Sequence, residues 1–117
     1  MNDEIDPIRA LQFLKTNAEG YGAAKGKRIY IENYLKSIKS ILMAELKGDG
    51  KKEISLGAKE QYAYSHPKYE EQLRALEIAV QNEEKLKYLL EAAKLQIEVF
   101  KANEYTRRTE MKNLDVS

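Results

Sequence analysis

The chain has 117 residues, one histidine, no cysteine and a formal net charge of +1. That length suits a single domain with a modest core, and the missing cysteines exclude disulfides, a thiol nucleophile and a thiolate metal site. Charged residues make up 33% of the chain while Gly and Pro are sparse, which is the composition of long helices with charged outer faces. The opening MNDEIDPIRA has neither a basic region nor an apolar run, so no signal peptide is expected. The longest apolar stretches fall short of a membrane span, and no membrane partner is expected.

The first element starts at Asp6–Pro7, a capping carboxylate followed by proline at the first helical position. Ile8, Leu11, Phe13 and Leu14 give it an apolar stripe. Gly20 and Gly22 are expected to end it, making residues 1–22 a short helix and linker. Residues 23–117 are then one helical domain, with helices over about 23–47, 55–64 and 68–111. In the first of these, Ile31, Leu35, Ile38, Leu42 and Glu45 are spaced by four, three, four and three residues, and Tyr34 and Ile41 widen the stripe. That is a helix packed on other helices. Gly48 and Gly50 end it. Ser55 caps the next, and Pro67 punctuates the chain.

The last segment runs without Gly or Pro to about Met111, with NLDVS read as a frayed tail. Its apolar face includes Leu76, Ala79, Val80, Leu86, Leu90, Ala93, Ile97 and Phe100. Some forty helical residues would extend about 60 Å, more than a globule of this size is wide. We therefore expect an all-α helical hairpin or bundle with a long C-terminal helix, assembled into a homo-oligomer. Leu76, Val80, Leu86, Leu90, Ile97 and Phe100 are the expected interface.

Few motifs carry chemistry. In YAYSHPKYEE the single His66 precedes Pro67, which drives it out of the α region. Ser65 or His66 can then cap the last helix, with Tyr62, Tyr64 and Tyr69 packed over the corner. There is no second His or Cys to complete a metal site and no nucleophile arranged beside it. GYGAAKGKR does not have phosphate-loop spacing, and GDGKKE lacks the acids of a calcium loop. Glu83 and Glu84 read as solvated helix surface. No enzyme activity, metal or cofactor is expected.

Charge is more informative. Residues 23–47 carry six basic and two acidic side chains. Lys25, Lys27, Arg28, Lys36 and Lys39 lie there with Tyr30 and Tyr34, and single-strand binders combine cations for phosphates with aromatic faces for bases. The same run also reads as a solvated helix face. Arg107 and Arg108, beside Tyr105, form a second basic cluster, with Glu104 and Arg108 spaced as an intrahelical pair.

The stretches KRIYIENYLKSIKSILM, EQYAYSHPKYEEQL and AVQNEEKLKYLLEAAKLQIEVFKANEYTRR resemble small helical proteins encoded by tailed phages. More distantly, the size, helix order and charge layout resemble the UvsY-type recombination mediators of large phages. The first resemblance covers nearly all of Lys27 to Arg108 and implies a protein of the infected host's cytoplasm. The more distant likeness, of size, helix order and charge layout, implies a ring-forming accessory factor of recombination or replication that binds single-stranded DNA. Such a factor helps load a phage or host recombinase in place of a single-strand binding protein. The residues offered for DNA contact (Lys25, Lys27, Arg28, Tyr30, Lys36, Lys39, Arg107 and Arg108) come from the charge pattern alone. The other reading of the sequence is a helical protein-binding module, such as an assembly factor or host-directed adaptor.

Overall fold

A computed structural model describes residues 5–48 and 53–116. It consists of three helices, α1 (Pro7–Glu45), α2 (Leu56–Ser65) and α3 (Pro67–Val116), with no strand among the described residues. The all-α class and the long C-terminal helix are as expected.

The caps follow the local chemistry. Asp6 Oδ1 accepts from the amides of Ile8 and Arg9 at 3.1 and 3.2 Å, and Pro7 sits where a missing N–H costs nothing. Ser55 Oγ accepts from the Ala58 amide at 3.2 Å. Between α2 and α3, His66 has φ −73° and ψ 137°, as a residue before proline must. Its carbonyl accepts from the Tyr69 and Glu70 amides at 3.0 and 3.1 Å. Its Nδ1 accepts from the Lys68 amide at 3.1 Å. The only histidine is therefore a capping group, while Ser65 Oγ donates back to the Gln61 carbonyl at 2.8 Å.

Two boundaries differ from the sequence reading, and a third agrees as far as it is described. α1 runs unbroken through Gly20, Gly22 and Gly26. A glycine costs about 1 kcal/mol in a helix interior but keeps its amide, and packing on either side of the glycines outweighs that cost. α3 continues through most of the expected frayed tail to Val116. Of the expected helix stop at Gly48 and Gly50, Gly48 follows α1 without helical structure, and Gly50 lies outside the described residues.

The chain divides into two compact units, one made of residues up to 22 with residues from 84 onward, the other of residues 23–83. In the 23–83 unit, α1, α2 and the start of α3 bury Ile31, Leu35, Leu42, Ala63 and Ala79, and Leu42 is 1% exposed. In the other unit, the first turns of α1 pack on the later part of α3. Ala10 and Ala93 are its buried residues, and a shallow hollow is lined by Arg9, Ala10, Phe13, Leu89, Ala92 and Ala93. Two helices share one seam, so the outward faces of this unit stay open to solvent. No described helix is long and apolar enough to cross a membrane.

Candidate nucleic-acid interface

Within the 23–83 unit, α1 presents its core stripe between two flanks. Lys25 and Lys36 are eleven residues apart, about three turns, and Lys39 follows three residues later, so all three lie on one flank. Lys27, Tyr30 and Tyr34 lie on the other. The candidate contact residues of this helix therefore divide into two groups.

The lysine flank borders an open groove of about 480 Å³ lined by Glu32, Leu35, Lys36, Lys39, Tyr64, Tyr69 and Leu76. The His66–Pro67 corner builds it. By ending α2 and starting α3 within two residues, the corner brings the rings of Tyr64 and Tyr69 edge to face, with centroids 5.3 Å apart. The Lys39 ammonium lies 4.8 Å from the Tyr64 ring centroid and 3.9 Å from Glu60 Oε1. A hydrogen bond with the Tyr64 hydroxyl is the main cause that raises its pKa above the ordinary lysine value. Lys39 is thus a held cation beside two aromatic rings. Lys36 is exposed and completes the pair. Tyr64 and Tyr69 were not among the contact residues expected from sequence. Their signal was the Tyr-x-His-Pro-x-Tyr corner, read there as packing.

Arg28 has a different role from the one expected. Its guanidinium grips Glu83 with Nε and Nη2, the latter at 3.2 Å, and donates from Nη1 to Glu32 at 2.9 Å. The two carboxylates raise its pKa further, Glu83 foremost. Glu83 is 6% exposed, so it is not the solvated surface acid expected. It anchors α3 to α1 within this unit. The link also engages Glu32, which lines the lysine groove, so that acid is balanced by Arg28.

On the opposite flank, Tyr30 and Tyr34 stack nearly parallel, 8° apart with centroids at 6.1 Å. Tyr30 is 68% exposed, and Lys27 is exposed beside it. Tyr34, Ile38 and Ile41 line a shallow cleft with Lys68, Glu71 and Gln72.

Arg107 and Arg108 belong to the other unit. Glu104 pairs with Arg107 at 3.0 Å rather than with Arg108, and Arg107, foremost, holds the Glu104 carboxyl below its ordinary value. Both arginines are exposed, as is Tyr105. The expected interface residues Leu76, Val80, Leu86, Leu90, Ile97 and Phe100 are all half-buried, and Leu76 lines the tyrosine groove. The open apolar positions of α3 are others, among them Ile78, Tyr88, Leu95 and Val99. No cluster of metal-ligating side chains occurs among the described residues.

Comparison with family models, with curated proteins and with solved structures returns no match.

Proposed function

We propose that the protein is a phage accessory factor of DNA recombination or replication. In this reading it binds single-stranded DNA as a homo-oligomer in the infected host's cytoplasm and helps load a recombinase in place of a single-strand binding protein. The observation that carries the DNA-binding part is the groove in which Lys36 and Lys39 meet Tyr64 and Tyr69. Cations there would take phosphates and the tyrosine rings would take bases, a combination that tolerates any sequence. Lys25, about three turns back along the same flank, would extend the phosphate track. The mediator role rests on the resemblance of the sequence to that class.

Fluorescence anisotropy with oligo-dT at several salt concentrations tests the reading. Lys36→Ala with Lys39→Ala should weaken binding and flatten the salt dependence by up to about 0.7 in log–log slope for each phosphate released. Tyr64→Leu should weaken binding with little change in slope, because it removes stacking and no charge. An unchanged affinity in both variants would exclude the groove.

The exposed Tyr30–Tyr34 stack and the cleft at Ile41, itself 60% exposed, favour a second reading, a protein-binding helical module. Failure of the wild-type protein to bind oligo-dT even at low salt would favour that reading.

A further inference from the structure

We propose that residues 20–27 of α1 are a built-in hinge, a stretch of about two turns that opens locally while the helix on both sides stays formed. Gly20, Gly22 and Gly26 fall close together in an otherwise continuous helix. Each makes the local helix roughly fivefold less favourable than alanine would, so the three together weaken it about a hundredfold. A glycine is called for where a neighbour comes too close for a side chain or where the backbone turns left-handed. Neither applies to these three. A Cβ built at each meets nothing within 4 Å, and none has a left-handed φ. The weakening therefore brings no packing at these positions.

Little else holds the segment. α1 buries Ala10 and then no residue fully until Ile31. Tyr21 and Ala24 are half-buried, and the rest of the stretch is exposed. Asn17 donates to the Phe13 carbonyl at 2.9 Å, and Arg28 holds Glu32 and Glu83. Between those two, no side chain has a polar partner among the described residues. The helix on either side is fixed by contrast. Asp6 caps its start, and Ile31, Leu35 and Leu42 are buried. Few buried contacts and solvent-exposed backbone bonds are the marks of a segment that opens without global unfolding, and glycines take up the change in φ and ψ at no steric cost. Lys25 and Lys27 ride on the segment, whereas Lys36 and Lys39 lie beyond it, so the tyrosine groove keeps its geometry during opening. The inference does not depend on DNA binding.

Hydrogen exchange of the full chain, read amide by amide by NMR, tests the hinge. Relative to their unstructured rates, the amides of residues 21–28 should exchange about tenfold faster or more than those of Ile31, Leu35 and Leu42. Low urea should leave their rates unchanged, because a local opening exposes little new surface. Replacing Gly20, Gly22 and Gly26 together by Ala should slow these amides by up to about a hundredfold. The added methyl groups enter open space, so circular dichroism at 222 nm should show no loss of helix. Gly57→Ala in α2, where a Cβ also meets nothing, should leave residues 21–28 unchanged. Wild-type protection at 21–28 equal to that at Ile31, Leu35 and Leu42 would overturn the proposal. So would exchange at 21–28 that the triple alanine variant does not slow, or that Gly57→Ala slows in step with the core.

Discussion

Glu83→Gln tests how the 23–83 unit is held together. The carboxylate of Glu83 retains 8% of its side-chain exposure and receives two donors from Arg28. Glutamine keeps the shape and one acceptor oxygen, but it turns an N–H toward the second guanidinium donor and removes the charge. Hydrogen bonds to charged groups contribute about 1.5–3 kcal/mol. One of the two is removed and the other weakened, so a loss of about 2 kcal/mol is expected. In urea that moves the midpoint by about 1 M at an m-value near 2 kcal/mol/M, and thermally it lowers Tm by roughly 8 °C for a chain of this size. Circular dichroism at 222 nm reads both. Glu77→Gln, at an exposed position of the same helix, should stay within about 0.5 kcal/mol of wild type. Replacing the pair together, Arg28→Met with Glu83→Leu, should recover most of the loss, because apolar replacement of a buried pair also removes its desolvation cost. High salt should leave the Glu83 effect largely intact, since buried pairs are screened little. Equal midpoints for Glu83→Gln and Glu77→Gln would refute the anchoring role.

Leu42→Ala should cost about 2–3 kcal/mol, the low end for a buried leucine because an open helical unit can close partly over the gap, while Ile41→Ala next to it should cost little; urea midpoints compare them. His66→Ala should lower stability by about 1 kcal/mol, as loss of a helix cap does, and leave oligo-dT affinity within a few fold. His66→Asn, which keeps an acceptor, should recover most of the stability. The lowered Glu104 pKa means that its contribution is present above the ordinary glutamate value and is lost as pH falls through the lowered one. Arg107→Gln should return the Glu104 titration, followed by side-chain NMR, toward the ordinary value.

Much of the fold was legible because local rules and packing agree. Asp6–Pro7, Ser55 and His66–Pro67 mark helix starts by side-chain chemistry alone, and Ile31, Leu35 and Leu42 mark a buried stripe by spacing. Gly20 and Gly22 misled because propensity weighs a residue without its tertiary partners. Glu83 was illegible for a related reason. Beside Glu84 it looks like one of many surface acids, and only the fold brings Arg28, 55 residues away in sequence, onto it. The candidate site divided similarly. Periodicity along α1 puts Lys25, Lys36 and Lys39 on one side, but it cannot show that the corner carries Tyr64 and Tyr69 to them.

The glycine stretch bears on how the two proposals relate. Lys36 and Lys39 stand on the part of α1 that buries Ile31, Leu35 and Leu42, so the core fixes their approach to Tyr64 and Tyr69. Lys25 stands within the proposed hinge, where the helix is free to adjust. The proposed binding groove and the proposed hinge therefore draw on different residues, a fixed cation pair and a movable cation along the same flank. Each further copy in an assembly would bring another lysine–tyrosine groove, raising the effective concentration for a strand long enough to reach both. A groove with two lysines engages few phosphates by itself, so the avidity of several copies is where appreciable affinity for a long single strand would arise.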